Sequence, residues 1–513
     1  MSLSKVVGAM TVAVIAVGAI VAAQDAAAPA FRVLISNASP PGIDNGVRDA
    51  DPPREPRPNA NDSLGRSTAL PYLRGSIIVK FRAGTAAASQ QAMLSRAGAS
   101  TMEAPPYSDF DIVTIDDGVD PEAAARQLSA QPDVDFAQAR YRIHPMFVPN
   151  DPLYSMQWNY PAIDMEHAWD LNAGASSAII VAVLDSGVAY KNEVVRYNIP
   201  AWGGNQGIPA FPALGLTDIP FAAAPDLGGS DRFVSPRDFI WNDTSPLDLD
   251  GHGTHVTGTI GQLTNNGIGG AGMAFNVRIM PVKVISTIWD DILHSPFVGT
   301  DDVVARGIRY AVDNGARVLN MSIGRTGPPA PVVQDAVAYA VRNGAFVAVA
   351  AGNDFGSGNT IERVAEFAPQ IQGMVAVGAM GRDRLRAYYS NTGRYIELTA
   401  PGGNQRSGGI TGGVLQQTFD FGFTDTFVNG VARYRAPRFD VFAYQFFQGT
   451  SMATPHVAGF AALLMQQGIT NPGAIEAAME QFATDLGASG RDDEYGYGLI
   501  NPRAALRGLG LAK

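Results

Sequence analysis

Continuous apolar runs dominate the pattern of the second half of the chain. A strand with one solvent-exposed face alternates apolar and polar residues. These runs do not alternate, and continuous apolar runs are typical of strands buried on both faces. Helical periodicity lies between the runs, at residues 302–314 and 332–343, and both stretches end at an Asn-Gly pair that suits a helix stop. This alternation predicts an α/β fold in which a largely parallel sheet is flanked by helices. The predicted buried strands are residues 178–184, 277–284, 317–321, 345–350 and 374–377.

A smaller unit with a different pattern precedes this region, at residues 72–148. Short runs rich in β-branched and aromatic residues alternate there with helical stretches, one of which opens with Asp-Pro-Glu. The pattern predicts a small α+β domain. Its predicted strands are residues 76–81, 110–115 and 134–137, and its predicted helices are residues 86–97 and 120–131.

The first 71 residues contain two segments that lack this kind of pattern. An apolar run behind Lys5 ends in the small residues Val-Ala-Ala at 21–23, which predicts a signal peptide, residues 1–23, cleaved after Ala23. An uncleaved membrane anchor is the alternative, because the run is close to the minimum length that spans a bilayer. Residues 24–71 are rich in Pro, Asn, Asp and Ala and predict a disordered linker.

The amino-acid composition excludes several kinds of site, nucleophile and partner. The chain has 513 residues and no cysteine, which excludes disulfides, thiolate zinc sites, a cysteine nucleophile and a lipoprotein anchor. A net charge of −11 argues against nucleic acid as a partner, because phosphate binding needs clustered Lys and Arg. Any nucleophile is therefore Ser, Thr, Lys or a carboxylate, and we expect a soluble, secreted product.

Asp185 follows the first predicted buried strand and precedes a Ser-Gly pair. In parallel sheets, ligands collect at the carboxyl ends of the strands, so this carboxylate is expected at the functional edge. The alternative is an ordinary turn or cap residue, because Asp is common in turns.

His252 stands between two glycines at the predicted opening of a helix, in the segment Asp-Gly-His-Gly-Thr-His of residues 250–255. The glycines leave the imidazole open to a substrate and to a nucleophile. The alternatives are a metal site shared with His255 or two core histidines. The spacing lacks the i, i+4 pairing and intervening Glu of zinc peptidases, which disfavours metal.

Ser451 opens a third segment, Gly-Thr-Ser-Met-Ala-Thr-Pro-His at residues 449–456, which continues into an apolar helix. A serine at a helix start is exposed and close to backbone N–H groups that favour negative charge. Taken alone, it could equally be an N-cap serine.

Together the three segments resemble the signature blocks of the subtilisin-like serine peptidases, the subtilase family, in that family's chain order of Asp, His and Ser. The resemblance covers about residues 150–506, within a predicted catalytic domain at residues 149–513. It implies the subtilisin-like fold and a serine endopeptidase made as a zymogen. The unit at residues 72–148 resembles the family's inhibitory pro-domain in size and element order.

The resemblance also implies a role for each residue. Ser451 would be the nucleophile, His252 the general base and then acid, and Asp185 the group that orients the imidazole. Asn353, which follows Ala-Ala-Gly at the end of another predicted strand, resembles the oxyanion residue that acts with the Ser451 N–H. A turn asparagine is the alternative. His255 and His456 belong to the motifs without carrying protons.

By the same resemblance, two backbone segments line the substrate cleft. Substrate backbone would pair by β-augmentation along Ser322, Ile323 and Gly324, opposite Ala351 and Gly352.

Asp354 follows the oxyanion asparagine, and the resemblance places it near the pocket for the residue before the scissile bond. A carboxylate there would attract Lys or Arg. The alternative is a solvated turn residue and an enzyme that prefers large apolar side chains.

A structural calcium ion is the one expected cofactor, and none is needed for the chemistry. The loop with Thr264, Asn266, Ile268 and Gly270 resembles the calcium loop of many family members, and Gln157 and Glu193 would add side-chain oxygens. The segment Lys-Asn-Glu at residues 191–193 departs from the family's usual His-Pro-Asp. An Asn-Gly turn without metal is the alternative.

Two insertions, near residues 196–238 and 403–447, are longer than the family pattern requires. They would act as lids, as substrate-selecting loops or as solvated surface loops.

Two classes of function remain: an active endopeptidase, or a catalytically silent binding protein on the same fold. The intact catalytic set favours the enzyme. We expect protein or peptide substrates, the pro-domain as an intramolecular inhibitor, a monomer, no nucleic acid and no stable membrane anchor.

Overall fold

The computed structural model describes residues 72–116, 118–141, 147–204, 208–424, 427–428, 431–432 and 435–508. The predicted signal peptide and linker therefore lie outside the described residues. The strands, in chain order, are β1 (Tyr72–Phe81), β2 (Ala99–Glu103), β3 (Asp111–Ile115), β4 (Val134–Tyr141), β5 (Ile180–Asp185), β6 (Glu193–Ile199), β7 (Gly215–Phe221), β8 (Arg237–Asp238), β9 (Arg278–Lys283), β10 (Val318–Met321), β11 (Phe346–Ala350), β12 (Met374–Met380), β13 (Leu398–Pro401), β14 (Val414–Phe419), β15 (Phe427–Val428), β16 (Val431–Ala432) and β17 (Phe442–Phe447).

The helices occupy most of the remaining regular structure. They are α1 (Ala87–Arg96), α2 (Pro121–Ser129), α3 (Asn159–Ala162), α4 (Met165–Leu171), α5 (His252–Gly261), α6 (Ile288–Ile292), α7 (Asp301–Asp313), α8 (Pro331–Arg342), α9 (Gln405–Gly408), α10 (Phe421–Thr424), α11 (Thr450–Gln466), α12 (Pro472–Gln481) and α13 (Pro502–Gly508). No helix among the described residues has the length and apolar character needed to cross a bilayer.

The N-terminal unit is an antiparallel four-stranded sheet in the order β2-β3-β1-β4. In its core, alternate residues of the central strands pack against the apolar faces of the two helices. Ile77 of β1 and Val113 of β3 belong to this core together with Leu94 of α1 and Leu128 of α2. Helix α2 begins where its sequence predicts, because the Asp120 side chain accepts a hydrogen bond from the Glu122 N–H. This unit is the predicted α+β arrangement with one more strand, β2.

The large sheet has the strand order β13-β12-β11-β10-β5-β9-β8, and its neighbouring strands pair in parallel. Helices cover both faces. Val181 and Val183 of β5 belong to the core that includes α5 and α11, whereas Ala182 and Leu184 belong to the core that includes α7 and α8. Successive residues of a strand point to opposite faces, which explains why these strands are apolar throughout. The predicted α/β architecture is confirmed.

The two insertions form hairpins that meet. Strand β6 pairs with β7 in the first, and β14 pairs with β17 in the second. The Ala222 N–H donates to the Phe439 carbonyl at 3.2 Å, and the Phe439 N–H donates to the Pro220 carbonyl at 3.0 Å. The Phe221 and Phe439 rings stack with centroids 5.2 Å apart. Each insertion therefore has regular structure that supports the other.

Candidate active site

Asp185 is the last residue of β5 and is fully buried, at 0% exposure. Its Oδ1 lies 2.7 Å from His252 Nδ1 and also accepts the Ser186 N–H at 2.7 Å. The buried strand fixes the backbone on one side of this contact, and helix α5 fixes it on the other. The structure therefore joins two residues that are 67 positions apart in the sequence.

His252 is the first residue of α5, and its side chain is 21% exposed. A Cβ at Gly253 would lie 2.2 Å from the Gly187 carbonyl oxygen, so only glycine lets α5 approach the Asp185 loop this closely. Gly251 adopts φ of 103°, in the left-handed region that favours glycine. Gly253 is therefore required by the close approach of the two segments, and Gly251 by its backbone conformation.

Asp248 was not anticipated from the sequence, yet it ties these segments together. Its carboxylate accepts hydrogen bonds from Ser186 Oγ at 2.9 Å and from Thr254 Oγ1 at 2.6 Å. It also accepts the backbone N–H groups of Asp250, Gly251 and Thr254 at 2.9–3.0 Å. Ser186 Oγ in turn accepts the Gly253 N–H at 2.9 Å. The only sequence signal was an Asp shortly before a helix start.

We expect Asp248→Asn to lower kcat by about 10- to 100-fold with little change in KM, because small displacements of catalytic groups have effects of this size. An amide cannot accept all five hydrogen bonds, so the Asp185–His252 alignment loosens. Steady-state kinetics on a peptide substrate measure the change, with the exposed Asp383→Asn as the matched control. Equal kcat values for both variants would contradict a positioning role for Asp248.

Opposing effects set the pKa of His252. Burial lowers it, but the charge and hydrogen bond of Asp185, helped by the charges of Asp250 and Asp248, outweigh burial and raise the pKa to about 9. Burial lowers the pKa of His255 to about 3 and that of His456 to about 4. His252 thus differs from the two other motif histidines, which stay neutral at pH 7.

A pH dependence follows, because a histidine accepts a proton only when it is neutral. With a raised pKa, the imidazole is protonated below about pH 9, so kcat/KM should rise with pH and level off above about pH 9. The charged pair stabilises the fold fully below the unfolded pKa, near 6.5, and this contribution is lost as the pH rises through about 9. Initial rates on an uncharged peptide test the predicted rise of kcat/KM with pH. A kcat/KM that is already constant from pH 7 upward would contradict this prediction.

Ser451 stands in the first turn of α11 and is partly exposed. Its Oγ donates to the Ser322 carbonyl at 3.2 Å, and Ser322 Oγ donates to the Ser451 carbonyl at 2.8 Å. These bonds hold Ser451 at the end of β10, and β10 is the sheet neighbour of β5, which ends at Asp185. The hydroxyl does not yet bond to His252; catalytic hydrogen bonds are often long without substrate and form by side-chain rotation.

Asn353 lies beyond the end of β11, next to the same helix start, and is exposed. Its Oδ1 accepts the Thr450 N–H at 2.9 Å and the Thr450 hydroxyl at 3.0 Å. These two bonds fix the amide with its oxygen turned toward α11, which leaves the Nδ2 donor for another partner. The fixed Nδ2 donor and the Ser451 N–H are the two groups that the family resemblance implies for an oxyanion hole, and this role stays a prediction.

The predicted pocket walls follow adjacent strands. Ser322, Ile323 and Gly324 come directly after β10, and Ala351 and Gly352 directly after β11, which pairs with β10 in parallel.

Asp354 continues the second wall as part of a turn. Its carbonyl accepts the N–H groups of Ser357 and Asn359, and its N–H donates to Asn391 Oδ1 at 2.6 Å. This geometry agrees with the turn alternative and leaves its effect on substrates a prediction.

The loop with the predicted calcium ligands is organised around Asp226, a residue that sequence reasoning missed. Asn266 Nδ2 and Gln262 Nε2 donate to the Asp226 carboxylate at 2.8 and 2.7 Å. The carboxylate is buried, and burial raises its pKa to about 6. A Cβ at Gly269 would come within 2.2 Å of Asp226 Oδ2, so the loop wraps closely around this oxygen.

Side-chain oxygens of the kind that bind calcium lie at this loop, and a calcium ion there stays a prediction. Gln157 Oε1 accepts the Ala271 N–H at 2.7 Å and Asn266 Oδ1 the Ile268 N–H at 2.8 Å, so both oxygens lie at the loop with the Asp226 carboxylate. Oxygen-only donors around a buried carboxylate are the set that Ca²⁺ prefers. Glu193 does not belong to it.

Glu193 instead pairs with Lys191 at 2.6 Å and accepts Ser245 Oγ at 3.0 Å. Asp226, in the segment Pro-Asp-Leu of residues 225–227, is the carboxylate that lies at the loop instead.

Comparisons with known proteins agree with this geometry. A model of the subtilase family matches residues 176–498. The chain belongs to the subtilase family. A model of the fervidolysin N-terminal prodomain matches residues 58–139, ahead of the subtilase match. This subtilase is thus a serine peptidase, a hydrolase, with a prodomain that marks a zymogen.

Individual relatives extend the similarity over most of the chain. The thermophilic serine proteinase of Bacillus sp. (strain AK1) is 32% identical over 84% of this chain and 86% of the relative. An extracellular protease of Xanthomonas campestris pv. campestris is 29% identical over 76% of this chain and 62% of the relative. Among solved structures, a protease from Pseudoalteromonas arctica has 28% identity and a TM-score of 0.52, covering 72% of this chain and 100% of that structure.

Proposed function

We propose that this subtilase is a secreted serine endopeptidase that hydrolyses peptide bonds through an acyl-enzyme on Ser451. The observation that carries the proposal is the 2.7 Å contact of Asp185 with His252, at the sheet edge where Ser322 holds Ser451. A silent binding protein would not need this set, and no feature of the site favours that alternative.

The reaction begins when Ser451 Oγ turns from the Ser322 carbonyl toward His252 and attacks the scissile carbonyl carbon. His252 Nε2 takes the hydroxyl proton, and the buried Asp185 carboxylate orients Nδ1–H and stabilises the imidazolium. The contacts of Asp248 hold the two segments that carry this pair. The raised pKa of His252 has the same cause as this stabilisation, because nearby carboxylates favour the charged ring.

The tetrahedral intermediate places a negative charge on the former carbonyl oxygen. Asn353 Nδ2 and the Ser451 N–H donate to it, and Thr450 keeps the amide from rotating. His252 then gives its proton to the leaving amine, and a water activated by the same imidazole releases the acyl group. Substrate backbone pairs along residues 322–324 while this happens.

A calcium ion, when bound, would supply structural support and no chemistry. Gln157, Asp226 and Asn266 would hold it, with carbonyls from Thr264, Ile268 and Gly270. The loop also binds the start of the catalytic domain, because Asp151 accepts the N–H groups of Asn265 and Asn266 at 2.7 and 3.0 Å.

The pro-domain acts as an intramolecular inhibitor that the enzyme itself removes. The bond cleaved would lie within residues 143–151, several of which fall outside the described residues. The product would be secreted as a monomer without nucleic acid or a stable membrane anchor, and the relative named as an extracellular protease supports export.

We expect the Ser451→Ala chain to accumulate as an unprocessed precursor, because the hydroxyl that would cut its own pro-domain is missing. Purified precursor, incubated without other proteases, is followed by gel mobility and N-terminal sequencing. The exposed Ser407→Ala chain is the matched control and should mature normally. Maturation of purified Ser451→Ala at the wild-type rate would refute self-processing.

A serine-directed phosphonate tests the proposed function itself. It should abolish peptide hydrolysis and label the peptide that contains Ser451, in wild type and in Ser407→Ala. Labelling should be absent in Ser451→Ala and after unfolding. Full peptidase activity in protein with unlabelled Ser451 would refute the assignment.

A further inference from the structure

A buried carboxylate, that of Glu362, lies between the two walls of the substrate pocket. A Cβ at Gly324 would fall 2.3 Å from Glu362 Oε1, and a Cβ at Gly352 would fall 3.3 Å from Glu362 Cβ. Both glycines are partly exposed, whereas Glu362 is only 3% exposed. The Glu362 carboxylate therefore packs directly against Gly324, and its Cβ lies beside Gly352, where Asn391 Nδ2 is the nearest side-chain atom.

Backbone groups hold this carboxylate in place without saturating it. Oε2 accepts the N–H groups of Val364 at 2.7 Å and Ala365 at 2.8 Å, and Oε1 accepts the Arg325 N–H. A carboxylate has about four acceptor positions, so one position remains on Oε1. Oε1 is the oxygen that lies against Gly324.

Glu362 also lacks a cationic side-chain partner. No ion pair within the described ranges includes it. The nearby Arg325 guanidinium binds Asp301 instead, at 2.5 and 2.7 Å. Burial raises the pKa of Glu362 to about 7, against the lowering by its hydrogen bonds and by the charge of Arg325. A buried carboxylate of this kind gains most when a ligand supplies the missing positive charge.

We propose that Glu362 forms the base of the pocket for the residue before the scissile bond and selects Lys or Arg there, an inference that rests on the proposed function. The substrate side chain approaches from the partly exposed side of Gly324, whose lack of a side chain leaves Glu362 Oε1 next to the backbone of this wall. Its cationic end donates to Glu362 Oε1. Asp354 is a weaker candidate because it lies in a partly exposed turn, where salt screens its charge.

Matched peptides that differ only at that residue test the proposal. Wild type should cleave Lys and Arg peptides with kcat/KM about tenfold or more above the Met peptide, which has similar length and no charge. Glu362→Gln should remove this advantage, so that the ratio of kcat/KM for the Lys peptide to kcat/KM for the Met peptide falls to about one. Glu366→Gln, a neighbouring carboxylate paired with Arg363, is the matched control and should keep the advantage.

A second measurement uses the unaltered protein, in case Glu362→Gln folds poorly. Benzamidine, a small cation with a flat apolar body, should inhibit cleavage of a Phe peptide competitively, whereas the neutral benzyl alcohol should not. Preference for Met or Phe over Lys together with absent benzamidine inhibition overturns the proposal. Loss of the Lys advantage in Asp354→Asn, but not in Glu362→Gln, overturns it as well.

The two hypotheses fail in different ways. If wild type cleaves Phe and Met peptides and Ser451→Ala does not, the proposed function stands whether or not the enzyme prefers Lys or Arg before the scissile bond. If Ser451→Ala cleaves every peptide as fast as wild type, the proposed function fails first.

Discussion

Ser451→Ala should reduce kcat for peptide hydrolysis by about a millionfold, a magnitude known from the corresponding change in subtilisin, another member of the family. His252→Ala should have a similar effect, because the serine is a weak nucleophile without a base to take its proton. The double variant should have a kcat only slightly lower than that of either single variant, since the two residues act as one unit. Such non-additivity is the signature of a shared step.

The measurement is single-turnover hydrolysis of a fluorogenic peptide by purified protein, with Ser407→Ala as the control for the substitution. Circular dichroism and thermal unfolding confirm that each variant is folded. A Ser451→Ala rate within about tenfold of wild type would contradict the role of this serine. Additive losses in the double variant would contradict the coupling between Ser451 and His252.

Asn353→Ala should lower kcat by about 100- to 1000-fold with little change in KM, a range measured for the oxyanion asparagine of subtilisin. The amide donates to charge that exists only in the intermediate, so the ground-state complex should hardly change. Asn353→Asp is the sharper test, because it keeps the oxygen that accepts from Thr450 and removes the Nδ2 donor.

Steady-state kinetics with one peptide substrate separate kcat from KM for both variants, and Asn314→Ala, an exposed asparagine at the end of α7, is the control. A rise in KM with unchanged kcat would indicate that Asn353 binds substrate rather than stabilising the intermediate. An Asn353→Asp variant with wild-type kcat would exclude the amide as an oxyanion donor.

The buried strands and their flanking helices could be predicted because the hydrophobic pattern of each element lies within its own residues. Residues 277–284 and 345–350 were expected as strands, and β9 and β11 occupy Arg278–Lys283 and Phe346–Ala350. Helices α7 and α8 begin and end one residue before their predicted bounds. An apolar run or an amphipathic repeat needs no distant partner to be recognised.

The hairpin β14–β17 could not be predicted in this way, because its buried positions include polar residues. Gln416 is buried within β14 and donates to Tyr160 Oη and to the Ala271 carbonyl. Its partners lie 256 and 145 positions away in the sequence. A strand whose glutamines donate hydrogen bonds to such distant groups resembles a solvated loop when only the sequence is considered.

The same reason separates the site residues that were found from those that were missed. Asp185, His252 and Ser451 stand in dense local motifs. Asp226 and Glu362 do not: the first lies within the insertion near residues 196–238, outside the recognised motifs, and only the approach of Gly324 and Gly352 reveals the second. Their environment is created by folding, so no local pattern marks them.

The most direct test of the central claim is to trap the acyl-enzyme. Wild-type protein is mixed with an activated ester of a blocked amino acid, quenched in acid within milliseconds, digested and analysed by mass spectrometry. We expect a burst of about one leaving group per chain, with the acyl mass on the peptide that carries Ser451. Rapid turnover with no burst and no acyl group on Ser451, or with the acyl group on another residue, would contradict the account.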